Sequence, residues 1–186
     1  MLDPRNLTFV AVSSSNPSAP LGYAQFVRLG DDEGAKRQMA SRASLLLTLA
    51  GWLFWLYSLV LKWVVGADKS CDLERQKAFE AHTKDSEEGH WDCEGRRERW
   101  HAQSVVVREE WQGKGIGKRL MAEVIARAEG EGVLVGLEAS EKGERLYRRV
   151  GFEVLARFGK SFGEDRIKDV GGFMVYTPKR LRITKS

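Results

Sequence analysis

Between Glu109 and Leu120 the sequence reads EEWQGKGIGKRL, with glycines at 113, 115 and 117 and cations at Lys114, Lys118 and Arg119. Glycine is costly inside a helix, so three in alternate positions suggest that the backbone itself is wanted close to something. The apolar run Ser104–Val107 precedes this stretch, and the helical pattern Leu120–Ala128 follows it. A strand, then glycines, then a helix start make an anion site. The first amides of the helix have no intrahelical acceptor, and the helix dipole favours negative charge there. Glycines let a phosphate approach without a Cβ in the way.

Three phosphate-loop patterns compete for these residues. A Walker loop needs Gly-x-x-x-x-Gly-Lys-Ser/Thr, but Arg119 follows Lys118 and the first glycine is misplaced. A dinucleotide fingerprint needs a third glycine where Leu120 stands. The pattern that remains is Gln-x-x-Gly-x-Gly over Gln112, Gly113, Lys114, Gly115, Ile116 and Gly117. On the loop alone, a glycine-rich turn at the head of a helix explains it equally well.

The elements around the loop follow from periodicity. Leu7–Val12 and Leu21–Leu29 are rich in β-branched and aromatic residues and read as a hairpin with a long turn. A long helical stretch is expected from about Ala35 to Val65, and a second helix over Asp72–Thr83. A polar, charge-dense segment from Lys84 to Arg99 reads as a loop, and His101–Val107 as a strand. Leu120, Met121, Val124, Ile125 and Ala128 mark one face of a helix over Ile116–Glu129. Val133–Ala139 is a buried strand, and Lys142–Val150 a short helix stopped by Gly151. Phe152–Phe158 and Gly171–Thr177 are two further strands, and the basic tail from Pro178 is expected to be loose. The order β-β-insert-β-α-β-α-β-β predicts an α/β (α+β) plan with a mixed sheet. The 186 residues make one domain, with residues 35–100 as a helical and loop insertion.

Composition narrows the partners. The charge is +4 with a pI near 9.1, which favours an anionic ligand without singling out nucleic acid. Cys71 and Cys93 lack zinc-site spacing and imply no disulfide framework, so a reducing compartment is expected. The first ten residues lack the regions of a signal peptide, and a cytoplasmic or nuclear location follows as the expectation.

A second segment decides among the loop readings. LEASEKGERLYRRVGFE, from Leu137 to Glu153, has a strand, a small polar residue, a short helix carrying Leu-Tyr, and Gly-Phe opening the next strand. Together with the glycine loop, in this order and spacing, it resembles the GNAT superfamily of N-acyltransferases. The resemblance covers His101–Phe158 closely and Leu7–Leu29 loosely. It is nearest to GNAT proteins of a fungal type with a helical insert before the central strand.

That resemblance implies a GNAT acyl-CoA fold and an N-acetyltransferase with acetyl-CoA as cosubstrate and an amine as acceptor, without nucleic acid. It implies that Val105, Val106 and Val107 pair their backbone with the pantetheine arm, their side chains serving the core. It implies that Gln112, Gly113, Lys114, Gly115, Ile116, Gly117 and Lys118 hold the pyrophosphate. Ser140 stands where the family has a polar contact to CoA; capping of the following helix is the alternative. Tyr147 is implied as the acid that protonates the departing thiolate, since phenols titrate near ~10 and thiols near ~8.5. The residues alone read Tyr147 equally as packing. His101, at the start of the central strand, is implied as the base; a surface histidine at a strand end is the alternative. No metal is implied, because a thioester is already activated. The family's opening strand and two helices are not seen ahead of the hairpin. A non-catalytic acyl-CoA-binding or interaction module is therefore the alternative function.

The stretch Ser44–Gly66 carries Lys62 as its only charge and is long enough, at ~1.5 Å per residue, to cross a bilayer. Its flanking strands should be neighbours in one sheet, which a single span would forbid. A narrow polar stripe through Arg37, Ser41, Ser44, Thr48, Gly51, Ser58 and Lys62, interrupted at Trp55, suggests a helix whose wide apolar face docks on the domain. Contact of 44–66 with a membrane surface is the less favoured reading.

Overall fold

Strand and helix periodicities resolve into a six-stranded mixed sheet in the order β1-β2-β3-β4-β6-β5. A computed structural model describes residues 3–42, 45–65, 89–91, 93, 95–157 and 171–183. The strands are β1 (Asn6–Val12), β2 (Pro20–Leu29), β3 (Arg99–Val107), β4 (Leu134–Ala139), β5 (Glu153–Arg157) and β6 (Gly172–Tyr176). The helices are α1 (Glu33–Arg42), α2 (Leu45–Val65), α3 (Ile116–Glu131), α4 (Glu141–Arg149) and α5 (Lys179–Ile183). Among the described residues only β3 and β4 run parallel, and α3 makes the crossover between them.

The core lies between the sheet and α3. Leu120, Met121, Val124 and Ala128 repeat at helical spacing and are buried against Phe26, Trp100, Ala102, Val135 and Leu137. The helix stops at Gly132, whose φ of 71° is left-handed. Near the end of α3, Glu131 accepts from the Trp100 indole (3.0 Å) and from Arg28 Nε (2.8 Å).

The opposite face of β3, β4 and β6 has its own smaller core. Trp91 is fully buried there, 6.2 Å from the Phe173 ring, with the Arg99 guanidinium 4.9 Å over its own ring. Gly136 makes room for it: a Cβ at that position would meet the indole at 2.6 Å.

Of the helical stretch expected from Ala35 to Val65, helix is described over Glu33–Arg42 and Leu45–Val65. The segment ahead of β3 is mostly turn and bend at its described residues, and it contributes the buried Trp91. Two expectations are corrected. The described large apolar side chains of α2 are 40–91% exposed, so α2 is not docked on the sheet. The tail is anchored: Pro178 is buried, Glu129 accepts from the Lys179 amide, and α5 follows. The helix expected over Asp72–Thr83 lies outside the described residues.

Candidate active site

The site begins with a fault in β3. Gln25 pairs with Ser104 and Phe26 with Ala102, so Gln103 is an extra residue with no partner on β2. Pairing of β3 with β4 stops at the same place, its last pair being Ala102 with Leu137. Beyond it β4 is paired to β6 alone, through Glu138 with Phe173 and Ala139 with Gly172. β3 continues with β2 as far as Val107 opposite Gly22. The two central strands thus part at Gln103, and the backbone of Ser104–Val107 has no strand partner on the β4 side among the described residues.

The bulge also resets the alternation of side chains. Val105 and Val107 pack on the core, as expected. Val106 does not: it is 44% exposed on the other face, in register with Tyr23 and Val10. Its assignment to the core is corrected because Gln103 shifts the parity by one.

The glycine loop closes the open end of the gap. After β3 a single 3-10 turn (Glu109–Trp111) leads to Gln112. The Gln112 amide bonds to Glu109 O (3.1 Å), and its side chain donates to Val107 O (3.0 Å). Gln112 therefore ties the loop to the strand end rather than offering an amide outward. Gly113 and Gly115 have φ of 72° and 81°, and a Cβ on either would point into open space. Arg119 N is the first amide to bond back, to Gly115 O (3.1 Å). The amides of Ile116, Gly117 and Lys118 ahead of it are therefore left over at the head of a 16-residue helix. The Lys114 ammonium rests 4.1 Å over the Trp111 ring, and Lys118 is exposed.

Helix α4 is seated against this loop. A Cβ on Gly117 would meet Leu146 Cδ2 at 3.0 Å. Ser140 caps α4, its Oγ accepting from the Gly143 amide (3.2 Å). Arg157 and Arg148 bond Glu144 and hold its carboxyl at about 2. Tyr147, next to Leu146, is half-buried with its ring 5.8 Å from Phe152. Burial pushes its phenol above the usual range.

His101 lies on the opposite face, paired to Gly136 one step before the strands part. Its Nε2 is 2.9 Å from Glu138 Oε2, and its ring meets Trp91 edge-on at 5.7 Å. The Trp91 indole donates to the other carboxylate oxygen at 2.8 Å. Burial alone would push the Glu138 carboxyl up. Hydrogen bonds from His101 and Trp91, with the charge of Arg99, outweigh it and hold the group below the usual carboxylate range. His101 Nδ1 is buried and has no partner among the described residues.

Tyr147 packs on the α3 side of the sheet and His101 on the other, one pair before the strands part. Glu138 and Trp91 were not among the expected site residues. Glu138 had a signal, being the lone charge in the apolar run VLVGLEA. Trp91 had none, because its burial depends on Gly136, far along the chain.

A mixed sheet split between its two parallel strands, with a glycine-flanked helix start at the split, defines an acyl-CoA N-acyltransferase fold. Residues 76–154 match the family described as acetyltransferase (GNAT) domain. That matched stretch is similar to a GNAT acetyltransferase domain. The chain is 39% identical over 67 residues to L-methionine sulfoximine/L-methionine sulfone acetyltransferases of Pseudomonas paraeruginosa and Pseudomonas aeruginosa, covering 32% of this chain. The match spans 39% of the length of those curated relatives. The crystal structure of Arabidopsis thaliana NAA60 with a bisubstrate analogue shares the fold, at 12% identity and a TM-score of 0.50. That match covers 94% of this chain and 76% of that one.

Proposed function

We propose that this domain transfers an acetyl group from acetyl-CoA to an amine, directly, within a ternary complex. The observation that carries the reading is the parting of β3 and β4 at Gln103, which leaves a strand edge free beside a head of unpaired amides. The residues present fit the cosubstrate. The edge from Ser104 to Val107 offers amides and carbonyls to the pantetheine arm, apart from the Val107 carbonyl that Gln112 occupies. The amides from Gly113 to Lys118, with two of their glycines open to the outside, suit a diphosphate. Lys118 adds charge, and Ser140 lies at the nearby end of β4. Bound there, acetyl-CoA supplies a thioester already activated toward an amine.

The chain's own groups would then move two protons. An ammonium acceptor must lose one before its nitrogen can attack the acetyl carbon. His101 is the group to take it, its ring held by Glu138 through Nε2. Glu138 is a positioning residue: it fixes the ring and its tautomer, and Trp91 fixes Glu138 in turn. Tyr147 gives the second proton to the sulfur as the carbon–sulfur bond breaks. Its raised pKa keeps the phenol protonated through neutral pH.

Titration calorimetry with acetyl-CoA, followed by thiol release with a panel of primary amines, tests the proposal. Saturable binding with amine-dependent release of free CoA is expected. Binding without release for any amine would leave a CoA-binding module instead.

A further inference from the structure

The structure assigns α2 a lipid partner: we infer that it embeds the domain in the surface of an anionic phospholipid bilayer. Six consecutive residues, Trp52 to Tyr57, are each 54–67% exposed. At about 100° per residue they point to every side of the helix. A protein groove or a second copy of the chain would cover one stripe and leave the rest in water. A lipid surface can take this broad apolar girth and leave the narrow run that includes Gly51 and Ser58 toward the headgroups.

Two further observations choose the lipid and the depth. From Arg37 to Gly66 the chain carries Arg37, Arg42 and Lys62 and no Asp or Glu, which complements an anionic leaflet. Trp52, Trp55, Tyr57 and Trp63 have amphipathic rings, the type that settles at the headgroup level. Trp63 is 91% exposed. Among the described residues no helix is long and apolar enough to cross a membrane. Leu29 pairs with Arg99, so the chain leaves β2 and re-enters at β3 on the same side. Helix α2 therefore lies within one face of the bilayer and leaves the sheet outside it.

The test is flotation of the full chain, synthesised cell-free in the presence of vesicles. One set is phosphatidylcholine with roughly a quarter phosphatidylserine, the other phosphatidylcholine alone. The wild-type chain is expected to float with the anionic vesicles, at least about fivefold more than with neutral ones, and less as salt rises. The double variant Trp55→Glu/Leu56→Glu should stay at the bottom. Both positions are solvent-exposed, so its far-ultraviolet dichroism should match the wild type. A wild-type chain that stays at the bottom, including one that runs as a discrete dimer, would overturn the inference. So would a double variant that floats as well as wild type. None of these readouts depends on acetyl transfer.

Discussion

His101 and Glu138, 37 positions apart in sequence, meet at 2.9 Å across two strands, one on each side of the last pair those strands make. Replacing His101 with Ala should lower kcat/KM by roughly 100- to 10,000-fold with CoA affinity unchanged. Glu138→Gln keeps the shape but loses the charge that orients the ring. Its expected signature is a displaced acid limb in the pH–rate profile, which loss of stability alone would not produce. The Glu138 carboxyl is depressed in the folded state, so its contribution is present above the ordinary carboxylate range and lost as pH falls through the folded value.

Tyr147→Phe removes the phenol and leaves the ring contact with Phe152. Steady-state kinetics should show kcat reduced roughly 100-fold and acetyl-CoA binding within about twofold of wild type. Burial raises this phenol, so the alkaline limb that it sets in the wild-type profile should lie above pH ~10 and vanish in the variant.

Gly115→Ala forces a left-handed φ of 81° on a residue with a Cβ, at a cost of about 1–2 kcal/mol. A Cβ there meets nothing within the protein, so the loss should appear in cosubstrate affinity. Calorimetry is expected to report a roughly tenfold weaker Kd for CoA. Unchanged affinity would remove the loop from the site.

Gly136→Ala places a methyl 2.6 Å from the Trp91 ring, with β4 backbone behind it. Overpacking of this kind costs about 1–3 kcal/mol in urea unfolding. Combining it with Trp91→Leu should cost less than the sum of the two single changes, because the clash and the void offset each other.

Tyr176 donates to Glu129 Oε1 at 2.6 Å. Burial first, and then that carboxylate, push its phenol up to about 12. A raised acid stabilises the fold below its unfolded pKa near 10 and loses that contribution as pH climbs through about 12. Urea midpoints should fall more steeply between those values for wild type than for Tyr176→Phe.

Much of this site was legible because its signals are local. Alternate glycines announce a backbone on display, and the spacing of Leu120, Met121, Val124 and Ala128 announces the helix behind it. What escaped depends on contacts distant in sequence. The parity of Val106 turns on one extra residue, which only the β2 register reveals. Trp91 sits in a charged segment and is buried because Gly136 leaves it space. A narrow run of small and polar positions suggested a docked face for α2, yet periodicity carries no information on what that face meets. The basic tail looked loose because its anchor, Glu129, belongs to a helix some fifty positions earlier.

The fully buried guanidinium of Arg28 reaches Asp32 at 2.6 Å and Glu98 at 3.5 Å, and Glu98 also accepts from the Asp31 amide at 3.0 Å. Those two carboxylates stand at the exit and the re-entry of everything between β2 and β3, so a single cation fastens both ends of the excursion. Lengthening a closed loop costs only about 0.6 kcal/mol per doubling. With its base clasped, the excursion becomes a cassette: it can grow, shrink or be exchanged while the strands beneath keep their register. Lineages sharing this scaffold could address it to different surfaces by rewriting only what Arg28 encloses.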